Sequence, residues 1–307
     1  MPTGDETAQG VAGYFGGGNS ASGTLSGIDK ITFPDDTKST LAATLTTARY
    51  HLAGMANSGT AGYFLGGFTG STNLSGIDKI TFPADSKSTL AATLTTATRA
   101  NRGFANSGVA GYSAGGYDTD HLSRIDKITF SDDSKSTLSA TLTSARDSMS
   151  GMANSGVAGY IGGGYDITNV ALSGIDKITF SADTKSTLSA TLSNAKFGLA
   201  AMANSGTAGY IGAGRNISGT AYSDIDKITF SSDTKSTLSA TLTSAKMYLE
   251  AMANSAVGGY FGGGNDSGGY LSTIDKITFS ADTKSTLSAT LTTARNSLAG
   301  MADSGLL

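Results

Sequence analysis

The chain has 307 residues, 15 % of them charged, with a net charge of −3 and neither cysteine nor tryptophan. That even balance lacks the basic stripe a nucleic-acid partner requires, and no apolar run approaches the ~18 residues of a membrane span. Without cysteine there is no disulfide framework, no thiolate nucleophile and no Cys-based zinc site.

Residues 1–10 read as a lead-in without the basic and apolar regions of a secretory signal, so the sequence predicts either no export by that route or a longer precursor. From Val11 to the C-terminus the chain is one tandem array. Ile-Asp-Lys recurs with its aspartates at Asp29, Asp78, Asp126, Asp176, Asp226 and Asp275, at spacings of 49, 48, 50, 50 and 49 residues. Each unit reads as four strands. In the fourth, strand A is Ser150–Ala153, an Asn-Ser-Gly turn follows at Asn154, and strand B is Val157–Ile161, running into Gly162-Gly163-Gly164. After a variable loop, strand C covers Ile175–Phe180, and a polar turn from Ser181 to Thr184 leads to strand D. There Leu188, Ala190 and Leu192 alternate with Ser189, Thr191 and Ser193, a period of two that favours a half-buried strand.

Four short strands per unit, repeated at this period, predict an all-β fold, a six-bladed β-propeller of four-stranded antiparallel blades. No blade buries both faces alone, so neighbours must stack around an axis. The chain opens at Val11-Ala12-Gly13-Tyr14, already strand B, and finishes with an orphan strand A at Leu298–Asp303. Pairing these fragments in one blade closes the ring and removes exposed edges.

Strand B resembles the kelch repeat, whose hallmark is a Gly-Gly doublet after Tyr-x-x. It appears as Tyr14 with Gly17-Gly18, Tyr63 with Gly66-Gly67, Tyr112 with Gly115-Gly116, Tyr160 with Gly163-Gly164 and Tyr260 with Gly263-Gly264. The fifth unit departs, with Ala213 in place of the first glycine. A basic residue after strand D also fits that pattern: Arg49, Arg146, Lys196, Lys246 and Arg295, with Thr98 the exception. The tryptophan usual in kelch blades is missing, and Phe33, Phe82, Phe130, Phe180, Phe230 and Phe279 are the candidates for its packing role. The uniform Gly/Ser/Thr-rich units are also similar to repeats in phage and bacterial surface proteins. That resemblance implies a virion or cell-surface location and virion or surface-structure proteins as partners.

Comparing the units with one another shows where they differ. In an antiparallel meander the A–B and C–D turns share one face of the disc, and the B–C loop and D–A link share the other. The first pair is nearly constant and the second is diverse. The B–C loops carry Phe68, Tyr117, Asp118, Asp120, His121, Tyr165, Asp166, Arg215, Asn216, Asn265 and Asp266. The D–A links carry Tyr50, His51, Arg99, Ala100, Asn101, Arg102, Asp147, Phe197, Met247, Tyr248 and Glu250. Rings, charges and amides on held loops can stack on and hydrogen-bond a saccharide or a protein receptor. The candidate ligand-binding residues are therefore Tyr50, His51, Phe68, Arg99, Tyr117, Asp118, His121, Tyr165, Asp166, Phe197, Arg215 and Tyr248. The competing reading is drift in loops that packing tolerates, and the constancy of the opposite turns favours recognition.

Catalytic chemistry is sparse. His51 and His121 do not recur at equivalent positions and read as surface loop histidines. Asp118, Asp120 and His121 match no metal-ligand spacing, and neither a metal nor a cofactor is expected. The six Asp-Lys pairs read as ion pairs or turn bonds between blades. The asparagines Asn57, Asn106, Asn154, Asn204 and Asn254, with Asp303 as sixth, are expected to cap their own turns; a ring at the channel mouth that binds water or an ion is the alternative. The expectation is a non-enzymatic recognition module. A structural role in a larger assembly is one alternative. A glycan-processing enzyme is another, pairing Asp118 with Asp166 at about 5 to 9 Å.

Overall fold

Tight Asn-Ser-Gly turns and short runs of alternating small and bulky residues give strands of four or five residues, too short to be stable except in stacked sheets. The computed structural model describes residues 12–303; the expected lead-in and Val11 lie outside the described residues. Six four-stranded antiparallel sheets are arranged as a β-propeller, with no helix among the described residues. The innermost strands A are Ala299–Asp303 in blade 1, Ala53–Asn57 in blade 2, Arg102–Asn106 in blade 3, Ser150–Asn154 in blade 4, Ala200–Asn204 in blade 5 and Glu250–Asn254 in blade 6. Blade 4 continues with strands B (Ala158–Gly162), C (Ile175–Thr179) and D (Thr184–Thr187). In blade 1, Ala12–Gly16 pairs with Ala299–Asp303 in register from Ala12↔Asp303 to Gly16↔Ala299, so the chain ends close the ring as expected.

Strand D is shorter than the alternation predicts. Its ladder to strand C ends at Asp176↔Thr187, beyond which Leu188 N–H still donates to the Ile175 carbonyl at 2.9 Å, where strand C begins. The leucine stretch Leu188–Leu192 leaves the sheet and crosses inward, and Leu192 is buried between blades with Leu199 and Ile211. Its alternation reflects an extended connection, a pattern that periodicity alone cannot distinguish from a strand.

Blades adhere through a motif repeated around the whole ring. Each strand-B tyrosine stacks on the phenylalanine of the next blade, as Tyr112 on Phe180 at 5.2 Å and Tyr260 on Phe33 at 5.0 Å. The same hydroxyl donates to the next blade's turn aspartate, Tyr112 to Asp183 at 2.9 Å, and Lys127 pairs with that carboxylate at 2.6 Å. Burial and the carboxylate together push these phenols well above their ordinary pKa. The Ile-Asp-Lys aspartate serves the other joint. Asp78 accepts Thr46 N–H at 2.9 Å and Arg49 at 2.9 Å from blade 1, plus the Thr89 hydroxyl of its own blade at 2.8 Å. Burial alone would raise its carboxyl, but these donors win and hold it below the usual range. Asp29 is gripped identically by Thr292 and Arg295, which locks blade 6 to blade 1. Where Thr98 replaces the basic residue, Arg124 approaches Asp126 at 3.5 Å instead.

The glycine doublets sit at φ of +67° and +108° for Gly163 and Gly164, and a Cβ on Gly163 would lie 2.7 Å from the Lys196 carbonyl. Ala213 holds the corresponding position at φ +63°, an uncommon conformation for a residue with a Cβ.

Candidate functional site: the axial pocket of the variable face

At each passage from one blade to the next, one link residue adopts positive φ: His51, Ala100, Ser148, Gly198, Tyr248 and Ser297. This turns its N–H toward the carbonyl of the preceding member. His51 N–H donates to Ser297 at 2.7 Å, Ala100 to His51 at 2.7 Å and Ser148 to Ala100 at 3.0 Å. Gly198 then donates to Ser148 at 2.8 Å, Tyr248 to Gly198 at 2.6 Å and Ser297 to Tyr248 at 2.7 Å. The six bonds form a closed backbone collar around the axis. Each bond offsets the cost of a left-handed residue, and because only backbone is used, the side chains are free to differ.

The residue before each collar member bridges to the residue after the Gly-Gly doublet of the same blade: Tyr50 to Phe68, Arg99 to Tyr117, Asp147 to Tyr165, Phe197 to Arg215, Met247 to Asn265 and Asn296 to Asn19. The two diverse segments of each blade are thus clipped together, and their side chains meet. Tyr50 packs edge-on to Phe68 at 5.5 Å, and the Arg99 guanidinium lies over Phe68 at 4.6 Å and over Tyr117 at 4.7 Å. Tyr117 meets His121 at 5.3 Å, His121 meets Tyr165 at 5.8 Å, and Tyr165 meets Phe197 at 5.1 Å. Phe197 reaches Tyr248 at 6.3 Å, Tyr248 reaches His51 at 5.5 Å, and His51 returns to Tyr50 at 5.1 Å. Arg215 lies over Phe197 at 4.9 Å and over Tyr248 at 5.9 Å. The belt closes on itself.

Within this belt lies a cavity of about 360 Å³, lined by His51, Arg99, Ala100, Asp147, Ser148, Tyr165, Phe197, Arg215, Ile217 and Tyr248. The strand-A ends carry one contact that the other blades do not share. Arg102 and Glu250 are the first residues of strand A in blades 3 and 6, on opposite sides of the ring, and they pair across the channel at 2.6 Å. Both are 8 % exposed. Ala53, Ser150, Ala200 and Ala299 hold this position elsewhere, and their small side chains leave the axis clear. Burial pushes Glu250 above the usual carboxylate pKa although Arg102 pulls it down.

His51 is held neutral. Burial first, then the charges of Arg102 and Arg99, lower its pKa to about 3. Burial likewise raises Asp147 against the downward pull of the Ser148 hydroxyl, His121 and Arg99; the His121 Nε2 to Asp147 separation is 3.6 Å.

Two expectations are corrected here. The histidines are not loosely exposed loop residues, since the collar and belt draw His51 and His121 inward, leaving the His121 side chain 11 % exposed. The asparagines do not cap their own turns either. The backbone already closes each turn, as with Val157 N–H to the Asn154 carbonyl at 3.0 Å. Asn57 Oδ1 instead accepts Gly108 N–H of the next blade at 2.8 Å, and Asn106 accepts Gly156 likewise. Strands A pack so tightly that a Cβ on Gly54 would lie 2.3 Å from the Gly300 carbonyl, which brings the neighbouring turn within reach.

Of the candidate residues, His51, Arg99, Tyr165, Phe197, Arg215 and Tyr248 line the cavity, and Tyr50, Phe68, Tyr117 and His121 complete the belt around it. Asp118 and Asp166 are not part of the belt, being occupied within their own loops. Asp118 accepts Asp120 N–H at 3.0 Å and Asp166 accepts the Thr168 hydroxyl at 2.7 Å. Burial raises each carboxyl, and the local donors together more than reverse it. Sequence reasoning placed Ala100, Asp147, Arg102 and Glu250 among the variable links without assigning them to the site. Ser148 and Ile217 carried no signal beyond their position next to diverse residues. Among the described residues no group of three or more His, Asp or Glu is placed to hold a metal ion. No family model matches the chain, and no curated protein matches it.

Proposed function

We propose that the propeller is a non-enzymatic recognition module that binds a saccharide in the axial pocket of its variable face. The closed belt of aromatic and cationic side chains carries this reading: residues that differ from blade to blade converge on one continuous surface, which drift confined to independent loops would not require. Flat rings with polar edges, held by a rigid backbone collar, suit the alternating apolar and hydroxylated faces of a sugar. The occupation of Asp118 and Asp166 within their own loops favours binding over the two-carboxylate chemistry of a glycosidase. The kelch-like Tyr-x-x-Gly-Gly pattern and the uniform Gly/Ser/Thr-rich units support, in this reading, a role on a virion or cell surface, as a phage tail component or adhesin.

The test is a glycan array together with a pull-down from bacterial envelope. Tyr165→Ala and Phe197→Ala should each weaken any binding found at least tenfold, while Asp132→Ala on the opposite face leaves it unchanged. Loss of binding from the opposite face alone, or capture of only a protein receptor that both pocket variants still bind, would reject this pocket as the saccharide site.

A further inference from the structure

The cationic side chains of the molecule are almost all committed to carboxylates. Arg49, Arg102, Arg124, Arg146 and Arg295 each have a carboxylate oxygen within 3.5 Å. Among the described residues, the arginines outside this pattern are Arg99 and Arg215, and both line the axial cavity. Neither is disordered by its freedom. Arg99 is sandwiched between Phe68 and Tyr117, and Arg215 lies over Phe197 and interacts with the Tyr248 hydroxyl, so each guanidinium plane is fixed by a ring face without a carboxylate partner.

The rest of the cavity does not cancel this charge. Asp147 is its single lining carboxylate, facing Arg99 and His121, and Glu250 beneath is already paired with Arg102. His51 is neutral near pH 7. The collar N–H groups are consumed by one another, so they offer nothing to an anion. Two ring-stacked guanidinium groups are therefore the cationic donors left for a ligand, and a guanidinium fork matches a planar carboxylate.

Building on the saccharide reading of this same pocket, we infer that the bound sugar carries a carboxylate, held by Arg215 and Arg99 and with its ring against Tyr165, Phe197 and Tyr248. A volume of about 360 Å³ suits one or two sugar residues. Asp147 stands where it accepts hydroxyl protons and excludes a second acidic group.

The experiment compares uronic- and sialic-acid-containing oligosaccharides with their carboxyl-reduced, neutral counterparts and with sulfated analogues, by titration calorimetry. The acidic sugars should bind at least tenfold more tightly than the reduced ones, with an affinity that falls as sodium chloride is raised. Arg215→Gln should remove that preference, so that acidic and reduced sugars bind the variant alike, and Arg215→Lys should restore it only in part. Equal affinity for acidic and reduced sugars, or binding of sulfated sugars alone, would overturn the carboxylate assignment and leave saccharide recognition intact. Binding of no sugar by the wild-type protein would remove both readings.

Discussion

The trans-axial pair Arg102–Glu250 permits a quantitative test. Both side chains are 8 % exposed and meet at 2.6 Å. At an effective dielectric near 20, two charges about 4 Å apart attract by about 4 kcal/mol, and desolvation of both ions offsets a comparable amount. Removing one partner leaves the other buried and unpaired. Arg102→Ala or Glu250→Ala alone should therefore cost about 3–5 kcal/mol. Removing both restores the alanine that Ala53, Ala200 and Ala299 already place at this position in blades 2, 5 and 1. The double variant should fall within about 1 kcal/mol of the parent, since replacing a buried pair outright is often near neutral. Urea unfolding, read as midpoint shifts at constant slope, gives the cycle directly. Single variants that each cost under about 1 kcal/mol, or a double variant as destabilised as the two singles together, would refute the account of a desolvated pair between opposite blades.

Ala256 sits exposed at φ +65° in a turn where glycine occupies the other blades, so Ala256→Gly should stabilise the protein by about 0.5–1 kcal/mol in the same assay. A loss of stability would show that this turn is not strained. Asp29→Asn should cost about 2–4 kcal/mol, because it leaves the buried Arg295 guanidinium without its charge partner at the ring closure; proteolysis should then begin at the blade 6–blade 1 joint. The pH dependence of His51 follows from its lowered pKa. The unfolded chain protonates near 6.5 and the folded chain only near 3, so the unfolded state binds more protons between those values. The stability that His51 contributes is complete above about pH 6.5 and is lost progressively as pH falls toward 3. The stability difference between wild type and His51→Gln should drift accordingly, and a difference that stays flat across that window would contradict a neutral, half-buried His51.

The Ile-Asp-Lys period, the four-strand unit and the orphan strand A were sufficient to predict a closed six-bladed ring, because local turn chemistry and alternation repeat in register. Mere comparison of units also marked the face on which Tyr50, Phe68, Arg99, Tyr117 and Tyr165 emerge, since alternate connections of a meander must share a side. What the sequence could not supply was any relation between blades. Leu188–Leu192 alternates like a strand but makes only isolated bonds, Leu188 to Ile175 and Leu192 to Ser173, at and just before the start of strand C. Asn57 looks like a cap for its own turn until the next blade's Gly108 is seen to be the donor within reach. Arg102 and Glu250 are separated by 148 positions and become partners only when three blades of rotation set them opposite each other. The collar and belt have the same origin: each residue contributes one local bend or one ring, and closure of the circle decides which ones touch.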